Sequence, residues 1–165
     1  MSSNMLEVAV KGLTFDPITN VPIILLKDVR GNHMLPIWIG VFEANAIALE
    51  IEKVSTPRPM THDLLKNIVD VMNGRIVRVV VDNLMDNTFY ATIYVDCRGE
   101  ELRVDSRPSD AIAVALRANI PIFVTQEVMS QAQSFEMTED SIGNQEEWKC
   151  WLEKLKPEDF SRYQS

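Results

Sequence analysis

Apolar and polar residues follow a period of two over some stretches and a period near 3.6 over others, and this pattern lays out most of the chain. Residues Leu6–Thr14 read as a strand. Val21–Asp28 reads as a second, closed by a turn at Arg30-Gly31-Asn32. Met34–Ile39 is a third, and Pro36, which lacks an N–H, places it at an edge or a bulge. From Phe42 to Lys53 the period becomes helical, with Ala44, Ile47, Ala48 and Ile51 on one face. Pro57-Arg58-Pro59 then breaks the chain, and Thr61 is placed to cap a helix carrying Leu64, Leu65, Ile68, Val69 and Met72 as its apolar stripe. Gly74 is the expected stop of that helix. Strands follow at Ile76–Val81, Phe89–Val95 and Glu101–Asp105, with turns at Asp86-Asn87 and Arg98-Gly99. Pro108-Ser109-Asp110 opens a helix over Ala111–Ala118, and Ile122–Thr125 is a short strand.

Past Val128 the pattern fades. Ser134–Asn144 is polar and acidic and reads as a linker, and Glu146–Leu155 as a short amphipathic helix with Trp148, Trp151, Leu152 and Leu155 on one side. The expected division is a domain over 1–133 followed by an acidic linker and C-terminal amphipathic helix over 134–165. That helix needs a surface to bury its tryptophans. Docking on the same subunit is the plain reading, and packing on a neighbouring subunit the sharper one.

The pattern also repeats. With a shift of 68 positions, Val21–Leu26 falls on Phe89–Tyr94, and Asp28, Arg30 and Gly31 fall on Asp96, Arg98 and Gly99. With a shift of 67, Glu43 falls on Asp110, and Ala44, Ala46, Ala48 and Leu49 fall on Ala111, Ala113, Ala115 and Leu116. The expected fold is therefore α+β: mixed or antiparallel sheets with a few helices, built by internal duplication of a strand–hairpin–strand–helix unit. Chance similarity between hairpin–helix segments is the alternative.

A chain of 165 residues suits one domain with a short appendage. With 46% hydrophobic and 24% charged residues it is ordinary globular sequence, which excludes wholesale disorder and a disulfide scaffold. Cys97 and Cys150 form no CxxC and read as free thiols. No signal peptide or bilayer-spanning run is visible, so a cytoplasmic protein without membrane contact is expected. The net charge of −8 changes the picture most. The parts before and after Gln133 each carry −4. Neither offers the basic face that passive capture of nucleic acid needs, so charge disfavours nucleic acid as a partner.

Two polar segments beside prolines stand where the chain enters helices: Arg58-Pro59-Met60-Thr61-His62-Asp63 and Asp105-Ser106-Arg107-Pro108-Ser109-Asp110. Helix N-termini present unpaired N–H groups that favour phosphate. Arg58, Thr61, Arg107 and Ser109 are the candidate phosphate ligands. Glu43, Asp63, Asp105 and Asp110 are the candidate carboxylates for a divalent cation, Mg²⁺ or Mn²⁺, which needs only one or two of them. His62 is the candidate acid or base, with Asp105 and Asp110 as its catalytic companions; His33 falls in a hairpin turn. The plainer alternative is structural, with Thr61 and Ser109 as caps and the arginines paired to carboxylates. No HExxH, P-loop, GxGxxG or nucleophile elbow occurs.

Four motifs in this order, Leu35-Pro36-Ile37-Trp38-Ile39-Gly40, Glu43-Ala44, Arg58-Pro59-Met60-Thr61-His62-Asp63-Leu64 and Asp105-Ser106-Arg107-Pro108-Ser109-Asp110-Ala111-Ile112-Ala113, resemble the bifunctional nuclease domain family over about residues 6–130. The Leu155–Phe160 run resembles the tails of bacterial members. The resemblance implies an α+β domain that self-associates, hence a homo-oligomer, and is credited with DNase and RNase activity. It implies a metal-assisted nuclease hydrolysing phosphodiester bonds of DNA and RNA. The rival reading is a non-enzymatic oligomeric binding or regulatory module, for instance for a small phosphorylated ligand, which suits the acidic charge better.

Overall fold

The computed structural model describes residues 4–132 and 135–136. The expected linker and tryptophan helix, and Cys150, lie outside the described residues except for that two-residue strand. The fold is α+β, as the pattern predicts. Strand β1 (Met5–Phe15) turns into β2 (Pro22–Asp28), then β3 (His33–Trp38), and helix α1 (Val41–Ile51) follows. Helix α2 (Thr61–Val71) leads into β4 (Gly74–Met85), β5 (Thr88–Cys97), β6 (Glu100–Ser106) and helix α3 (Pro108–Ala118). Strand β7 (Ile122–Thr125), helix α4 (Gln126–Gln131) and β8 (Phe135–Glu136) complete the described chain.

Among the described residues the strands form one mixed sheet in the order β6-β5-β4-β7-β1-β2-β3-β8. All neighbours are antiparallel except β4 and β7. Strand β7 thus sits between two antiparallel meanders, β1-β2-β3 and β4-β5-β6, each followed directly by a helix. The β4–β5 and β5–β6 turns are two-residue hairpins. Asp86 and Asn87 take φ of 50° and 58°, and Arg98 and Gly99 take 57° and 85°, the left-handed pairs that match strand twist. Strand β8 pairs with His33 and Met34, so among the described residues Pro36 lies where the outer side of β3 has no partner strand.

Alternation directs Ile24, Leu26, Leu35 and Ile37 into the main core, where they meet Ala44, Ile47 and Ala48 of α1 and Ala111, Ile112 and Ala115 of α3. The alanines let α1 and α3 pack closely while still burying apolar surface. Helix α2 departs from expectation. Its stripe is largely uncovered, with Leu65 43%, Ile68 47% and Met72 66% exposed. Only His62 of this helix is buried.

Three local expectations are corrected. Thr61 is the first helical residue rather than the cap; Met60 holds that position, and its N–H donates to Asp63 Oδ2 at 2.8 Å. Asn73, with φ of 59°, takes the left-handed position after α2, and Gly74 begins β4. A Cβ on Gly74 would sit 3.0 Å from a Val69 methyl, a tight contact that favours glycine there. Helix α4 was not foreseen; Thr125 caps it by accepting from the Val128 N–H at 3.2 Å.

Candidate functional site

Helices α1 and α2 both pack on α3; α2 and α3 lie against β4, and α3 also against β5. Between them is a cleft of about 890 Å³. Its floor is apolar, formed by Ile76, Ile93, Val95 and Val104 of the sheet, and Leu65 and Ile68 of α2 form one wall. Its polar end is made where α1, α2 and α3 begin, by Glu43, Thr61, His62, Asp105, Arg107 and Asp110.

These side chains form a connected row. Arg107, the cap of α3, donates from Nη2 to Glu43 Oε1 at 2.6 Å and from Nε to Asp110 Oδ2 at 2.8 Å. The other Asp110 oxygen, Oδ1, lies 2.8 Å from His62 Nε2. One guanidinium therefore bridges the first turns of α1 and α3, and Asp110 carries the link on to α2. Gly40 makes room for it, because a Cβ there would collide with Glu43 Oε2.

The electrostatics follow from this packing. Burial pushes the Asp110 carboxyl up. Hydrogen bonds from His62 and Arg107 outweigh that and hold it below its ordinary value. Burial likewise lowers Arg107, and its bonds to Asp110 and Glu43 more than offset it, raising the group. Asp110 is thus an ionised acceptor, which puts the shared hydrogen on His62 Nε2.

The sequence-nominated residues divide. Glu43, His62, Arg107 and Asp110 come together in the row; Thr61 and Asp105 line the same cleft without a recorded bond to it. Ser109 is buried and Arg58 is exposed, and neither lines the cleft. Asp63 turns elsewhere: Oδ2 takes the Met60 N–H and Oδ1 takes Arg117 Nε at 2.9 Å. The four nominated carboxylates do not gather as a cation site. Among the described residues no group of three such ligands exists, and Arg107 already stands between Glu43 and Asp110.

Sequence reasoning missed Arg117. Its side chain is only 4% exposed. Besides Asp63, it donates to Ala113 O at 2.9 Å and Ala46 O at 3.0 Å, tying α1, α2 and α3 together beneath the site. The available signal was a basic residue ending a helix of small apolar ones, where it meets the negative dipole end.

The sequence profile of the bifunctional nuclease domain matches residues 24–137. A protein of Mycobacterium tuberculosis that carries only the name "uncharacterized" is 37% identical over 162 residues, covering 93% of this chain and 97% of its own length. Bifunctional nuclease 1 of Arabidopsis thaliana is 30% identical over 109 residues, 64% of this chain and 34% of its own. Bifunctional nuclease 2 of Oryza sativa subsp. japonica is 28% identical over 107 residues, 62% of this chain and 33% of its own.

Proposed function

Because this chain belongs to the bifunctional nuclease domain family, we propose that it hydrolyses phosphodiester bonds of DNA and RNA at the polar end of the cleft. Two things support the reading: plant relatives carry nuclease names, and the motifs shared with the family converge on the Glu43–Arg107–Asp110–His62 row. This chain matches about a third of those plant proteins, so their activity reaches it as a proposal.

The observation that carries the site assignment is the 2.8 Å bond between Asp110 and His62. A carboxylate that holds Nε2–H fixes the ring and leaves Nδ1 to take a proton from an attacking water. Arg107 presents the cation for the phosphate, and it is 57% exposed. Its bonds to Asp110 and Glu43 use Nε and Nη2, which leaves the Nη1 donors for a phosphate. Among the described residues no three carboxylate, histidine or cysteine ligands gather as a preset Mg²⁺ or Mn²⁺ site.

The test is cleavage of labelled single-stranded DNA and RNA by purified protein, with added Mg²⁺ or Mn²⁺ and with EDTA, beside His62→Ala and Asp110→Asn. Loss of at least a hundredfold in both folded variants is expected, as for removal of a general base. Equal cleavage by wild type and both variants contradicts the assignment. Sensitivity to EDTA decides whether a cation takes part.

A second reading, a non-enzymatic binding module, is favoured by one observation: the cleft's floor and one wall are aliphatic. Such a lining suits a ligand with an apolar body and one polar end. No cleavage by wild type, together with ligand-induced protection of Leu65 and Ile68 amides, is the outcome that selects it.

A further inference from the structure

The cleft joins two unlike environments. Its floor, Ile76, Ile93, Val95 and Val104, and its α2 wall, Leu65 and Ile68, are aliphatic, and its volume of about 890 Å³ falls in the range of small-molecule sites. Leu65, Ile68 and Val104 remain 43%, 47% and 49% exposed. Apolar residues scattered singly over a surface are ordinary, but a concave run of them marks a place where something apolar is bound.

A nucleobase is a poor match for that part of the cleft. Its edges need hydrogen-bond partners and its face needs a ring to stack on. The floor and the α2 wall supply neither, and Phe42, the phenyl ring among the lining residues, belongs to α1. An alkyl chain asks only for aliphatic contact. The polar end decides the charge of the head group. The Arg107 side chain is 57% exposed, whereas Glu43 and Asp110, which pair with it, are 13% and 26% exposed. The charge presented to a ligand is therefore the cation, and Nη1 lies outside its recorded bonds to the two carboxylates. Asp105 borders the cleft, but Val104 pairs with Ile93 on the floor, so alternation along β6 turns the Asp105 carboxylate to the other face of the sheet.

We infer that the cleft binds a single-chain amphiphile, an alkyl body with one anionic head, the head on Arg107 Nη1 and the chain between the sheet floor and α2. A guanidinium takes a carboxylate or a phosphate monoester in the same way. The inference deepens the binding-module reading and rests on it, by naming the class of ligand; it does not rest on cleavage of nucleic acid.

The experiment is a methyl NMR titration of the full chain with octanoate, decanoate, octyl phosphate, octanol and octylammonium, each below its micellar concentration. Shifts of the Leu65, Ile93 and Val104 methyl signals report both site and affinity. Octanoate is expected to bind, and decanoate to bind about tenfold more tightly through its two added methylenes. Octyl phosphate and octanoate separate the two anionic heads, and tighter binding by either than by octanol supports the inference. Arg107→Gln should weaken octanoate about tenfold and leave octanol unchanged, as for a lost charged hydrogen bond. Leu65→Asp, at an exposed position on the wall, should weaken both. Octanol or octylammonium binding as tightly as both anions keeps the cleft as a ligand site and overturns the anionic head. No affinity gain from octanoate to decanoate overturns the alkyl body. Unshifted cleft methyls with every probe overturn the inference and the binding-module reading together.

Discussion

Two arginines hold this domain's helices together, and they do so differently. Arg117 is almost wholly enclosed and spends its donors on Asp63 and two backbone carbonyls. Arg107 spans Glu43 and Asp110 with more than half its side chain open to solvent. Both link α3 to its neighbours. Arg117 ends on Asp63 and two helix carbonyls, so its arrangement is complete. Arg107 faces a cleft, and the groups it holds lead on to a histidine. Solvent access and continuation to an acid–base group are what set the Arg107 row apart from the Arg117 fastening and support its proposed role.

The sharpest way to break this contrast is Arg117→Ala. It leaves two carbonyls and Asp63 without their donor, and the expected loss is about 3 kcal/mol. Urea unfolding should show an earlier midpoint with an unchanged slope. Arg107→Ala should cost much less, below about 1 kcal/mol, because its ion pairs are solvent-screened. An Arg107→Ala loss as large as that of Arg117→Ala would make Arg107 a fastening too.

A smaller effect separates the clusters by pH. Asp110 titrates below its ordinary value in the folded chain. Its contribution is fully present above the unfolded carboxylate pKa near 3.9 and is lost as pH falls through the lower folded value. Asp110→Asn should lower the neutral part of a stability–pH curve and flatten its acid limb, so that variant and wild type converge at low pH. An acid limb identical to wild type shows that the bonds from His62 and Arg107 do not act on Asp110 as described.

Most strands and helices were legible in the sequence because their causes are local. Alternation marks β2 and β3, and paired left-handed residues mark the hairpins at Asp86-Asn87 and Arg98-Gly99. The insertion of β7 between β4 and β1 was not legible, because a four-residue strand carries no sign of non-local partners. The uncovered stripe of α2 also escaped the pattern, which records amphipathicity and not what lies opposite it. Motif density located the row Glu43, His62, Arg107 and Asp110, whereas the sorting of Asp63 and Ser109 away from it depended on side-chain direction. Thr61 misled because a good capping residue stands one position inside the helix, where Asp63 already satisfies the Met60 N–H. The element order β1-β2-β3-α1 recurs as β4-β5-β6-α3. Descent of both from one unit is a proposal that superposing residues 74–118 on 5–51 tests.

The most direct measurement is cleavage of single-stranded DNA and RNA by Arg107→Ala and Arg117→Ala at a temperature where both are folded. The account predicts that Arg107→Ala loses activity with its unfolding midpoint nearly kept, and that Arg117→Ala keeps activity with its midpoint lowered. Full cleavage by Arg107→Ala alongside an active wild type would contradict the claim that the exposed row is the working site.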